Sequence, residues 1–192
     1  METEVIDAEA SSALRSGPAP QGVQDDMPKE LIRIYTDGSA HYKNGLGAWA
    51  FVVVYEDGRE IKRSQPYKGV TNNKMELCAV LEGLDFIHKS TNPDKRENKV
   101  KYQIISDSEY VVNGINEWRV AWKAKKWKNV KNLPLWLAID SILTELENLH
   151  VSITVSWVKG HNGDKYNEIC DKLAHGEYKK LLEEESKVTN EI

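Results

Sequence analysis

Cysteine, long apolar runs and a strong net charge are all scarce in this sequence of 192 residues, and each shortage closes off a class. The two cysteines, Cys78 and Cys170, fall in stretches of helical character and form no Cys-x-x-Cys clip. Neither a zinc site nor a disulfide framework is expected from them, and a reducing compartment is. The longest apolar run, Ala48 to Tyr55, is too short to span a bilayer, so no membrane association is expected. The first residues, Met1-Glu2-Thr3-Glu4, are acidic where a signal or transit peptide is basic, which points to a cytoplasmic location. Net charge is −4, which argues against a chain that coats nucleic acid by bulk electrostatics alone. There is no internal repeat. Nothing points to an obligate protein partner, and a monomer is expected.

What is present is an ordinary globular balance, 40% hydrophobic and 29% charged, in a length that suits one domain with short tails. The charges are unevenly distributed. Acids crowd both ends (Glu2, Glu4, Asp7, Glu9; Glu183, Glu184, Glu185), whereas Arg119, Lys123, Lys125, Lys126, Lys128 and Lys131 fall in one stretch with few acids. Residues 1–28 mix Ala, Ser, Gly, Pro and acids without apolar periodicity, as in Ser16-Gly17-Pro18-Ala19-Pro20, and read as a flexible tail. A single domain is expected over 29–182, followed by a polar tail over 183–192.

Within that domain, Leu31 to Tyr35 is β-prone and is expected to break at Asp37-Gly38-Ser39. Two further strands, Gly47 to Tyr55 and Arg59 to Tyr67, are joined at Asp57-Gly58 in the manner of a hairpin. Thr71-Asn72-Asn73 reads as a helix start, and Met75, Cys78, Leu81, Leu84 and Ile87 recur at helical spacing until Pro93 and its charged neighbours close the element. Val100 to Ser106 is a strand, short helices follow through Trp122, Leu135 to Leu149 is helical, Val151 to Val158 is a strand, and Lys165 to Leu182 is a final helix. Hairpins demand antiparallel pairing and helical crossovers demand parallel pairing, so the fold class is α/β, a mixed sheet flanked by helices.

Four acids then stand out by position: Asp37 at the end of the first strand, Glu76 in the first turns of the following helix, Asp107 at the end of the fourth strand, and Asp171 inside the last helix. Groups at the carboxyl ends of adjacent strands project into one crevice, so Asp37 and Asp107 are candidate neighbours. Acids gathered there repel unless a cation sits among them. Mg²⁺ takes hard oxygen ligands, and two such ions about 3.5–4 Å apart can activate a water and stabilise the leaving oxygen of a phosphodiester. Each acid also has a bland explanation when taken singly. Asp-Gly-Ser is a good turn, Asp107 a good cap, and an early helical Glu suits the macrodipole. Asp171 resists that treatment, because Asp has poor helix propensity and no capping duty is evident at that position. His161, in the loop Lys159-Gly160-His161-Asn162-Gly163, is placed to move a proton or help product leave, since imidazole ordinarily titrates near neutral pH.

Five ordered runs carry a family signature: Tyr35-Thr36-Asp37-Gly38-Ser39, Thr71-Asn72-Asn73-Lys74-Met75-Glu76-Leu77, Ser106-Asp107-Ser108-Glu109-Tyr110-Val111, Trp157-Val158-Lys159-Gly160-His161 and Asn167-Glu168-Ile169-Cys170-Asp171. From Leu31 to Tyr178 the chain resembles type 1 ribonuclease H, an endonuclease acting on the RNA strand of RNA–DNA hybrids. The resemblance implies the ribonuclease H-like fold, a five-stranded mixed sheet with three antiparallel strands and then parallel ones. It places the family's metal-binding carboxylates on Asp37, Glu76, Asp107 and Asp171 and its catalytic histidine on His161. It further implies two Mg²⁺ ions, with Mn²⁺ as substitute, and products with 5′-phosphate and 3′-hydroxyl ends.

Trp118, Trp122, Lys123, Lys125, Lys126 and Trp127 resemble the basic protrusion with which the family grips the DNA strand. Lysines would neutralise phosphates and tryptophans would offer flat faces to sugars or bases. The competing reading is an amphipathic helix with Trp118 and Trp122, four apart, packed inward; it is expected to hold for at least one of them. Thr71 and Asn132 match members of the family's phosphate pocket, and Asn72 is grouped with them as a nucleic-acid contact. Gly69 stands where an Arg is common, His41-Tyr42-Lys43-Asn44 replaces a Gly-Asn-Pro-containing loop, and Glu109 replaces a frequent Gln. A binding module without chemistry would show erosion of a carboxylate, and none is eroded. Integrases, transposases and resolvases share the fold but are not expected to carry both the 71–77 run and the 118–128 segment.

Overall fold

The computed structural model describes residues 30–91 and 100–190. The tail expected over residues 1–28, and Pro93, lie outside the described residues. The elements run β1 (Glu30–His41), β2 (Leu46–Val54), β3 (Glu60–Tyr67), α1 (Asn72–Ser90), β4 (Val100–Ser106), α2 (Glu109–Asn113), a π-helical turn (Gly114–Trp118), α3 (Arg119–Ala124), α4 (Leu133–Asn148), β5 (Ser152–Trp157) and α5 (Lys165–Asn190). They form the expected five-stranded mixed sheet, in the order β3-β2-β1-β4-β5. The first three strands are antiparallel meander neighbours. β1 pairs parallel with β4, and β4 with β5.

The period of two along each strand divides the core between the two faces of the sheet. Ile32 and Ile34, Trp49, Phe51 and Val53, and Tyr102 and Ile104 all point to one side, where α1 and α4 pack Leu77, Val80, Leu84, Trp136, Ile139 and Leu143 against them. Tyr35, Val52, Val54 and Ile105 point to the other, where α5 covers them with Cys170, Ile169 and Leu173. Every residue of β2 is buried, as a strand covered on both faces must be. Trp136, fully buried in α4, is the largest side chain of the core; truncating such a residue costs about 3–5 kcal/mol.

Two boundaries depart from expectation. β1 does not break at Asp37-Gly38-Ser39 but continues to His41, still paired with β2 as far as His41↔Leu46. Gly38 is there for close approach rather than for a turn: a Cβ at Gly38 would stand 2.1 Å from the backbone N of Glu76, so the first turn of α1 rests directly on the strand. The last helix, expected to end near Leu182, runs to Asn190, and the stretch expected as a polar tail is helical through that residue. Glu183, Glu184 and Lys187 are good helix formers on an exposed surface, and no Gly or Pro interrupts them. The Asp57-Gly58 turn and the start of α1 after Thr71 fall where the sequence puts them.

Candidate active site

Strand register builds the site. The last parallel pair between β1 and β4 is Thr36↔Ser106, so Asp37 and Asp107 each stand one residue beyond it, side by side at the carboxyl edge of two adjacent strands. Glu76 comes down from the first turns of α1 onto the same edge, through the contact made at Gly38. Asp171 arrives from the other face. The neighbouring Cys170 is buried with its Sγ 3.2 Å from the carbonyl of Tyr35, which seats α5 on β1 two residues before Asp37. All four predicted carboxylates are thus brought to one edge.

Their mutual influence is electrostatic. Asp37 is buried, and its carboxyl is pushed up to about 7, by burial first and then by the negative charges of Asp107, Asp171 and Glu76; a hydrogen bond from the Gly38 N–H at 2.7 Å works in the opposite direction. Glu76 is also raised, mainly by burial and further by Asp107, while hydrogen bonds from Ser108 and Asn72 pull it down. Burial carries the Cys170 thiol well above its ordinary range, which suits a packing role.

Neutral donors hold the acids apart. Glu76 accepts from Asn72 Nδ2 at 2.7 Å and from Ser108 Oγ at 2.6 Å. Asp107 Oδ2 accepts from Asn167 Nδ2 at 3.1 Å. Among the described residues, no three acidic, His or Cys groups already surround one point in metal-ligating geometry, although the four acids interact electrostatically. The distinction is one of aim: the charges are near enough to raise Asp37, while individual oxygens are turned to their hydrogen-bond donors. The set still fits hard divalent cations, because all its donors are oxygens, its charge is negative, and Asp37 is crowded by groups of its own sign. Asp107 is also free of the bland duty weighed above, since the cap of α2 is Ser108, whose Oγ accepts from Val111 N.

His161 lies in the loop between β5 and α5, exposed, with a left-handed φ of 51°. The described residues give it no hydrogen bond or ion pair, so it is near the acid edge in sequence order but not yet engaged with it. Thr71 caps α1 through backbone conformation, without a side-chain hydrogen bond, and is exposed. Asn72 does two structural jobs, accepting from the Ala40 N–H at 3.2 Å and orienting Glu76. Asn132, at the start of α4 with φ 56°, reaches Tyr110 Oη at 3.5 Å, and the same hydroxyl accepts from Trp136 Nε1 at 2.8 Å.

In the basic segment, the expectation that at least one of Trp118 and Trp122 packs inward is met by Trp122. Trp122 packs edge-on against Trp136 with ring centroids 5.1 Å apart, and against Trp127 and Trp118. Trp122 and Trp127 are therefore partly buried props of the core, and Trp118 is the more exposed ring. Lys123 is ion-paired with the buried Asp140 at 2.9 Å, and Arg119 with Glu147 at 2.7 Å, so these two cations are already neutralised. Lys125 and Lys126 are exposed and make no ion pair among the described residues. Ser108, Asn167, Gly38 and Gly160 belong to the site, yet sequence reasoning does not single them out. All four sit inside the motif runs, but the duties of Ser108 and Asn167 depend on partners 32 and 60 residues away.

Comparison with known proteins agrees with this fold. The family model for ribonuclease H matches residues 29–179. A ribonuclease H from Wolbachia sp. subsp. Drosophila simulans is 39% identical over 153 residues, 77% of this chain and 95% of that protein. One from Treponema denticola is 37% identical over 163 residues, 79% and 99% of the two chains. Among solved structures, a type 1 ribonuclease H with the type 2 active-site motif superposes with a TM-score of 0.61 at 26% identity, over 79% of this chain and 73% of that one.

Proposed function

The chain belongs to the ribonuclease H family, and on that premise we propose that it hydrolyses the RNA strand of RNA–DNA hybrids endonucleolytically, by two-metal-ion catalysis, leaving 5′-phosphate and 3′-hydroxyl ends. One observation carries the reading. Two carboxylates one residue past the last paired positions of adjacent parallel strands are crowded by two more, and the crowding with burial holds Asp37 at about 7. A buried carboxylate crowded by others of its sign favours a proton or a cation beside it at neutral pH.

Asp37, Glu76, Asp107 and Asp171 would hold the ions. When bound, two Mg²⁺ ions, or Mn²⁺, supply the charge that activates an attacking water and stabilises the leaving oxygen. The chain's own groups orient this set: Asn72 and Ser108 fix Glu76, and the Gly38 N–H fixes Asp37. His161, on its exposed loop, would carry a proton on a ring nitrogen or ease product departure. Shape and 2′-hydroxyls would mark one strand as RNA. The other strand would be held as DNA by Lys125, Lys126 and Trp118, with the Thr71 and Asn132 region receiving a phosphate; sequence preference would be slight.

The test is a cleavage assay on hybrid, double-stranded DNA and double-stranded RNA, with metal titration and a chelator control, on wild type and Asp37→Asn. Cleavage should be confined to the hybrid, require the divalent ion, and fall by at least about a thousandfold in the variant while hybrid binding persists. Undiminished turnover by Asp37→Asn refutes the assignment. Chelator-insensitive binding with no cleavage by the wild type would instead make the chain a binding module.

A further inference from the structure

We propose that Asn167 is a positioning residue for Asp107, seconded by Gly160, and that together they hold carboxylate oxygen Oδ2 so that Oδ1 is presented to the cleft. Asn167 lies in the first turn of α5 and is 2% exposed. Its Nδ2 donates to Asp107 Oδ2 at 3.1 Å. A carboxylate only accepts, so the amide must turn its nitrogen to Asp107. That orientation leaves Asn167 Oδ1 buried with no donor in reach among the described residues. An unpaired buried acceptor is costly, and a side chain retained for packing alone would not carry an amide at this position.

Helix capping does not account for Asn167 either. Asp164 Oδ1 already accepts from the backbone N–H groups of Tyr166 and Asn167, both at 3.0 Å, and so starts α5 without help from the amide. Gly160 closes on the same oxygen from another direction: a Cβ there would lie 2.7 Å from Asp107 Oδ2, so a larger residue would push the carboxylate aside. The backbone of Asp107 is tied as well, its carbonyl accepting from Trp157 Nε1 at 3.1 Å. All three restraints come from β5, its following loop and the start of α5. Glu76 is held independently, by Asn72 and Ser108. The segment that carries His161 thus also sets the aim of Asp107.

The inference rests on the ribonuclease reading for what the carboxylate does, but not for how it is held. Its test uses the full chain, as wild type, Asn167→Ala and Gly160→Ala. Three measurements are made: thermal unfolding, Mn²⁺ affinity by titration calorimetry without nucleic acid, and kcat and KM on the hybrid. Both variants should keep the wild-type circular dichroism, lose about tenfold in Mn²⁺ affinity and about tenfold in kcat, and hold KM within about twofold. Gly160→Ala leaves the amide of α5 in place, so it carries the test should Asn167→Ala fail to fold. Unchanged Mn²⁺ affinity and kcat in folded variants overturn the proposal, as does a loss that only tracks unfolding. A wild type that binds Mn²⁺ but leaves the hybrid uncut refutes the ribonuclease reading alone, because the variants' Mn²⁺ affinities still decide how Asp107 is held.

Discussion

The carboxylate edge and the basic aromatic segment 118–128 would face the same substrate, but different forces fix them in place. At the edge, backbone register does the work: Asp37 and Asp107 are neighbours because Thr36 pairs with Ser106, and each of the two is then held by one neutral donor. In the basic segment no sheet register operates. Aromatic stacking on Trp136 and ion pairs to Asp140 and Glu147 set the geometry, and they consume Trp122, Lys123 and Arg119 in doing so. Among the described residues no basic partner neutralises the acids of the edge, of which Asp37 alone is buried, so their repulsion is left for a proton or a cation to relieve. The segment neutralises part of its charge and leaves the remainder, Lys125 and Lys126, in solvent. Like-charge repulsion is concentrated where chemistry is expected, and ion pairing where only grip is needed.

The contrast would break most sharply at Gly38. Replacing Gly38 with Ala forces a methyl into the backbone of Met75 and Glu76, so α1 must lift from β1 and carry Glu76 away from the edge. The expected result is loss of nearly all cleavage together with about 1–3 kcal/mol of stability, read by denaturant unfolding and a hybrid cleavage assay. A variant that keeps full turnover would mean that Glu76 does not depend on this close approach.

A second effect follows from charge. In the folded protein Asp37 is held at about 7, against 3.8 ordinarily, so between those values the folded state keeps a proton that the unfolded state has released. Without divalent ions, stability should therefore be fully present below about pH 4 from this group and be lost progressively as pH rises through about 7. Melting midpoints in chelator at about pH 5 and about pH 7.5 measure the fall. Asp37→Asn should flatten it, and saturating Mg²⁺ should restore stability at the higher pH. A slope unaltered in the variant would show that other groups carry it.

The smallest effects belong to the lysines. Removing Lys125 and Lys126 together should weaken hybrid binding and reduce the slope of log affinity against log salt by about 0.9 for each phosphate that the variant no longer neutralises. Lys123→Ala should do less, because its ammonium is already committed to Asp140. Fluorescence anisotropy across a salt series separates the two cases. Equal slopes would mean that Asp140 releases Lys123 to the substrate.

Much of the fold and site is legible in the residues alone, and the departures have physical causes. The four carboxylates are legible because each lies in a short run whose type and order carry meaning. Gly38 reads as a turn residue because Asp-Gly-Ser has turn chemistry, and only the arrival of α1 against the strand makes the missing Cβ matter. Lys123 reads as a substrate contact, and Trp122 as either a contact or an inward-packed ring, because a basic and aromatic run looks the same whether it faces a phosphate or a core. The partners that decide, Trp136 and Asp140, lie 14 and 17 residues further on. Asn167 stands inside a motif run with no duty of its own in the sequence, since its partner is 60 residues away.

By itself the sequence determined the strand and helix order, the mixed sheet and the identity of the acids, because those follow from local periodicity, turn chemistry and residue type. Tertiary structure alone decided which oxygens are held, which cations are free and how far Asp37 is raised. Those properties depend on distance and burial between segments remote in the chain, and neither is fixed until the sheet has set its register and the helices have packed on it.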